Sequence, residues 1–171
     1  MQEHTGIITF HGAPLTLEGS NVEVGSQAPD FTVYANDLTP RTLMDYKGKI
    51  LIVCTVPSLD TGVCDLETRR FNAEAANLSD DIRILTISVD LPFAQARWCG
   101  AAGVDRLETL SDYKELSFGH AYGVVIKELR LLARTVWVIN REGRIIYKEI
   151  VPEVTTEPNY ENILQAATDY K

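Results

Sequence analysis

Apolar residues along the chain alternate between continuous runs and spaced stripes. Residues 49–56, KILIVCTV, and 82–90, IRILTISVD, are unbroken and rich in Ile and Val. Such runs fit strands buried on both faces of a sheet. The first of them stops at Pro57. Residues 6–17, GIITFHGAPLTL, are interrupted at His11-Gly12 and predict two short strands in a hairpin. PDFTVY at 29–34 predicts another short strand, and TVWVINREGRIIYKEI at 135–150 a second hairpin around an Asn-Arg-Glu-Gly turn. Elsewhere the spacing is helical. Over 64–78, Cys64, Thr68, Phe71, Ala75 and Leu78 share one stripe, while Asp65, Arg69, Arg70 and Glu74 point away from it. PFAQARWCGAAG at 92–103 opens on a Pro and closes on a Gly, the marks of a short helix. SDYKELSFGHAYGV at 111–124 reads as helix and loop, and NYENILQAATDY at 159–170 as a closing helix. Strand–helix–strand units followed by a hairpin and a helix predict an α/β layer with a mixed central sheet. The 171 residues contain no repeat or linker, so residues 1–171 are expected to form a single domain.

Composition narrows the function classes. A net charge of -8 repels nucleic acid and anionic membrane surfaces, so neither is an expected partner. The N-terminus MQEHTGIITFHG has no basic start followed by an apolar run, and the apolar stretches are strand-sized. A soluble protein kept in the cytoplasm is expected. The three cysteines, Cys54, Cys64 and Cys99, are too few for a secreted disulfide framework. They form no CxxC, and no Cys/His cluster has zinc-site spacing.

PSLDTGVC at 57–64 lies between a buried strand and an amphipathic helix, where α/β sheets place their ligands. Asp60 and Thr61 are both N-cap candidates, and either sets Cys64 in the first helical turn. Free N–H groups and the helix dipole there favour a thiolate, the nucleophilic form of cysteine. Thr61 can bring its hydroxyl beside the sulfur, and Pro57 can shield the pocket. Asp65 and Glu67 in the same turn oppose a thiolate, so a cation is required to outweigh them. The competing reading makes Cys64 a small core residue on the helix stripe. Cys54, inside ILIVCTV, has no cap, base or cation beside it and reads as inert core. His4, His11 and His120 show no partner spacing, and Tyr34, Trp98 and Trp137 read as core or interface packing.

Pro57, Thr61 and Cys64 repeat the peroxiredoxin pattern of Pro, three residues, Thr, two residues, Cys. Roughly from Ile7 to Ala167 the chain resembles the bacterial thiol peroxidase branch of that family. The segments that carry the resemblance are VPSLDTGVCDLETRRFN at 56–72, SVDLPFAQARWCGAAG at 88–103, SFGHAYGVVIKELRLLAR at 117–134 and EIVPEVTTEPNYE at 149–161. The resemblance implies a thioredoxin-like fold with an added N-terminal β-hairpin. It implies that Cys64 is the peroxidatic cysteine, Thr61 and Pro57 its pocket partners, Arg134 the pocket arginine and Cys99 the resolving cysteine. It implies hydrogen peroxide and alkyl or lipid hydroperoxides as substrates, thioredoxin as reductant, a homodimer, and no metal, haem or flavin cofactor. Sequence alone also admits a surface salt bridge for Arg134, with Arg130 and Arg97 as competitors, and helix core beside Trp98 for Cys99.

A Cys64–Cys99 disulfide needs Cα atoms within about 7 Å, which two separate packed helices need not satisfy. Local unwinding of a helix end is therefore expected before closure, and the small-residue exit CGAAG suits it. Two alternatives stay open. A redox sensor uses the same sulfenic acid chemistry without turnover. A binding domain with structural cysteines would alkylate slowly.

Overall fold

A computed structural model describes residues 1–169. The run at 49–56 forms β5 (Ile50–Thr55), every residue of it buried. β6 (Ile82–Ser88) and β7 (Glu108–Ser111) lie parallel to it, while β10 (Thr135–Ile139) joins its other edge antiparallel. β11 (Ile145–Ile150), β3 (Thr32–Tyr34) and β4 (Pro40–Thr42) complete a mixed sheet of order β11-β10-β5-β6-β7-β3-β4. The mixed central sheet is as expected. β5 reads as one apolar run because both of its faces are covered. Ile50, Ile52 and Cys54 pack with Phe71 of α1 (Gly62–Ala75) and with Ile163 and Ala167 of α4 (Tyr160–Asp169). Leu51 and Val53 point the other way, into a cluster with Phe118 and Tyr122 of α3 (Ser117–Tyr122) and with Trp137. The Phe118 and Tyr122 rings stack with centroids 4.0 Å apart, and Tyr122 meets Trp137 edge-on at 5.2 Å. Trp137 is thus core, as read. Tyr170, the last residue of the closing-helix reading, lies outside the described residues.

The N-terminal hairpin forms as β1 (Glu3–Phe10) and β2 (Ala13–Glu18), with φ of 50° at His11 and 81° at Gly12. Positive φ at both turn residues gives a connection whose twist matches the strands. The hairpin is not isolated. β8 (Val125–Ile126) pairs with β2, and β9 (Leu131–Leu132) pairs with β8, making a four-stranded second sheet. Two-residue strands leave no period to read, so nothing in the apolar pattern marks them. The 29–34 segment becomes strand only at Thr32, because Pro29 has no N–H for a ladder and Asp30 turns back to accept the Phe31 and Leu43 amides.

α2 (Pro92–Ala102) starts on Pro92 and ends at Gly103 in the left-handed conformation, φ 68°. Its first half is fixed by Gln95, whose amide nitrogen donates to Ser88 Oγ at 3.0 Å and to the Leu110 carbonyl at 2.9 Å. No helix among the described residues is long and apolar enough to cross a membrane.

Candidate active site

The site grows from the carboxyl end of β5. After Thr55 the chain leaves the sheet through Val56, Pro57 and Ser58, then turns into α1. Asp90, just past β6, ties this turn down: its carboxylate accepts from Ser58 Oγ at 2.7 Å and from the Leu59 amide at 2.8 Å. Pro57 is buried within the turn. Of the two cap candidates, Thr61 is the N-cap, and its hydroxyl accepts the Cys64 N–H at 3.3 Å. Asp60 instead uses its backbone N–H on Ser58 Oγ. Cys64 therefore occupies the first turn of α1, as expected. The Thr61 hydroxyl also donates to the Ser58 carbonyl at 3.3 Å. It engages the backbone on both sides of the turn, where the sequence reading aimed it at the sulfur.

The required cation is Arg134. It leaves β9 toward β10, is 1% exposed, and sends each nitrogen to a different partner. Nη2 donates to Cys64 Sγ at 3.2 Å, Nη1 to Glu67 Oε2 at 2.5 Å, and Nε to the Val154 carbonyl at 2.8 Å. A planar guanidinium can hold three directions at once, which an ammonium cannot. Arg134 is thus no surface salt bridge. Arg130, its competitor in sequence, is exposed and reaches Glu18 at 3.9 Å. Burial alone would depress the Arg134 guanidinium; Glu67 and the Cys64 sulfur outweigh it and hold it above its ordinary value. Burial also pushes the Glu67 carboxyl up to about 7 against the pull of Arg134.

The two acids that threatened a thiolate are neutralised separately. Asp65 accepts from Arg69 Nε at 2.8 Å and from Trp98 Nε1 at 3.0 Å, and Glu67 is held by Arg134. Glu67 was missed as a pocket residue. Its signal was present: it lies between Cys64 and Thr68 on the buried helix face, and a buried acid needs a partner. Asp90 was missed too, although its place after a central strand is where sites are built.

Val154 sits in a short segment sewn to the first hairpin. The Thr9 and Val154 amides exchange with Pro152 and Thr9 carbonyls at 2.7 and 2.9 Å. Glu153 accepts from Thr9 Oγ1, the Gly12 amide and both Thr155 donors. The hydroxyl and amide of Thr155, with the other donors, hold its carboxyl down at about 2. The N-terminal hairpin thereby fixes the carbonyl that aims Arg134.

Cys64 is 0% exposed and packs with Val56, Leu59 and Trp98. Cys99, the next residue after Trp98, is half-buried and turned to β7, its sulfur 3.3 Å from Thr109 Oγ1. All three thiols are free, and Cys64 and Cys99 engage different partners. Cys54 is 1% exposed, and burial pushes its thiol well above the usual range. A Cys54→Ala variant is expected to lose about 1–2 kcal/mol of stability through the core cavity, with its turnover rate unchanged within about twofold. Urea titration beside a peroxidase assay checks this; a folded variant without activity would contradict it.

A cysteine in a capped helical first turn, bonded to a buried arginine, is equipped for attack by sulfur on a polarised bond. Comparison with known proteins places this geometry. Residues 23–164 match the Redoxin family model. The chain is 59% identical over 160 residues to a thiol peroxidase of Bacillus subtilis, covering 94% of this chain and 95% of that protein. It is 54% identical over 159 residues to a thiol peroxidase of Staphylococcus aureus, covering 93% and 96%. A peroxiredoxin-like protein from Aquifex aeolicus superimposes with a TM-score of 0.91 at 34% identity, over 98% of this chain and 99% of that one. A thiol peroxidase from Chromobacterium violaceum, 17% identical with a TM-score of 0.84 over 95% of each chain, shares the fold. The chain belongs to the Redoxin family, in its bacterial thiol peroxidase branch, with a thioredoxin-like fold and the reduction of peroxides as its activity.

Proposed function

We propose that Cys64 is the peroxidatic cysteine and Cys99 the resolving one, in a cycle reopened by thioredoxin. The observation that carries this is the 3.2 Å bond from Arg134 Nη2 to Cys64 Sγ, made inside the first turn of α1. The Cys64 thiolate attacks one oxygen of the hydroperoxide and the O–O bond breaks. Sulfur is oxidised to sulfenic acid, and the other oxygen leaves as alkoxide or hydroxide and takes up a proton to become alcohol or water. Arg134 holds the attacking sulfur and stabilises charge on the leaving oxygen. Thr61 and Pro57 shape the turn over the sulfur. Leu59 and Trp98 cover Cys64, so the entry of peroxide requires this cover to shift. An apolar cover suits alkyl and lipid hydroperoxides alongside hydrogen peroxide.

The Cys99 thiol then attacks the Cys64 sulfenic sulfur. The S–O bond breaks, a disulfide forms, and the Cys99 proton leaves with the hydroxyl as water. Thioredoxin dithiol re-reduces the disulfide. The thiols supply all the redox chemistry, with no cofactor. Work as a homodimer in the cytoplasm, in defence against peroxides, completes the reading. Cys99→Ser is expected to consume one equivalent of peroxide and then stall with thioredoxin. NADPH consumption in a thioredoxin-coupled assay tests this, and sustained turnover by the variant would remove Cys99 from the cycle. Stalling of the wild type as well would point to another reductant or to a sensor, which trapping of the sulfenic acid tells apart.

A further inference from the structure

We propose that Thr109, backed by Asn36, is a latch that holds Cys99 away from Cys64 and sets how long the Cys64 sulfenic acid waits for its disulfide. The inference rests on the resolving role given to Cys99 above. Thr109 Oγ1 donates to Asn36 Oδ1 at 3.0 Å, which uses its one hydrogen. Its contact with Cys99 Sγ at 3.3 Å is then a bond accepted from the Cys99 S–H. Thr109 is 3% exposed and belongs to β7, paired through Thr86 of β6, so the acceptor sits on the rigid sheet. The Cys99 thiol is therefore aimed at the sheet.

The helix geometry opposes this aim to the one resolution needs. Consecutive residues on an α-helix point about 100° apart. Trp98 points to α1, where it bonds Asp65 and packs with Cys64. Cys99 points to Thr109. Bringing Cys99 to the Cys64 sulfur requires the end of α2 to turn or unwind, and the Thr109 bond breaks in that movement. Little else restrains this last turn. Gly100 is exposed, and so is Ala101. Beyond the helix's own backbone bonds, its other polar ties among the described residues are the capping Gly103 N–H and the Val104 N–H to the Cys99 carbonyl, and Arg69 Nη1 to the Ala102 carbonyl at 3.2 Å. Gln95 anchors the first half independently. A groove of about 300 Å³ borders Asn36, Cys99, Val104 and Thr109, which leaves Cys99 open to a small reagent.

The test compares wild type with Thr109→Val, which removes the acceptor at equal volume, and Thr109→Ser, which keeps it. Reduced protein is mixed rapidly with one equivalent of hydrogen peroxide, and tryptophan fluorescence follows oxidation and then closure. Thr109→Val is expected to close about two- to fivefold faster, the scale of one weak net hydrogen bond, with its oxidation phase unchanged. It is also expected to accumulate less sulfinic acid at high peroxide and to alkylate faster at Cys99 when reduced. Thr109→Ser is expected to match wild type in all three. Closure of Thr109→Val at or below the wild-type rate would overturn the latch. Absence of a Cys64–Cys99 disulfide in wild type by mass spectrometry would overturn the resolving role itself.

Discussion

Cys64→Ser is expected to abolish peroxide reduction, lowering turnover by at least about 10⁴-fold while the fold persists. A serine hydroxyl stays protonated at neutral pH beside the same arginine and is a poor nucleophile toward oxygen. The structure gives no reason for unfolding. The Thr61 cap takes the backbone N–H of residue 64, and Thr68 takes its carbonyl at 2.8 Å, so neither depends on the sulfur. Oxygen is close to sulfur in size, and Arg134 keeps its bonds to Glu67 and Val154. NADPH consumption with thioredoxin, thioredoxin reductase and cumene hydroperoxide is the measurement. Turnover by the variant above about one percent of wild type would contradict the assignment.

Arg134→Lys is expected to lower kcat/KM by about 10²–10³-fold, the scale of losing one preorganised charge-stabilising donor. A lysine keeps the charge but cannot serve Cys64, Glu67 and Val154 from one nitrogen. Arg134→Ala goes further and is expected to cost about 3–5 kcal/mol of stability, because Glu67 loses its partner while 0% exposed. The pH dependence has a fixed sign. Glu67 already has its folded value raised to about 7, above the unfolded carboxylate range. The folded state therefore binds the proton more tightly, so this contribution is full at low pH and is lost as pH rises toward 7. Without Arg134 the folded value rises further, and the loss continues through higher pH. Urea midpoints of Arg134→Ala should fall more steeply than wild type between about pH 6 and 8. Parallel curves would contradict a buried Glu67–Arg134 pair.

The residues differ in how far sequence alone could place them. Thr61 and Cys64 were legible because a helix start is written locally: a capping side chain, then the first turn. The burial of Cys54 followed from an unbroken apolar run. Arg134 carries no local sign of its role, since its partners lie on α1 and in the segment after β11; only the resemblance selected it. Glu67 reads in sequence as an opponent of the thiolate because pairing across the fold is invisible in one helix. Asp90 and the Glu153 segment were missed for the same reason: each acts by tying backbone from distant parts of the chain. β8 and β9 were too short to show a period. Cys99 was placed on the right helix, yet its direction, toward Thr109 and not Cys64, depends on how α2 lies on the sheet.

Trapping the oxidised sulfur tests the role of Cys64 most directly. The Cys99→Ser protein, reduced and then given one equivalent of cumene hydroperoxide with dimedone, is digested and mapped by mass spectrometry. The expected result is one dimedone adduct, on Cys64, with Cys54 unmodified. An adduct on Cys54 with Cys64 left as thiol, or no adduct after the peroxide is consumed, would contradict a peroxidase built on Cys64.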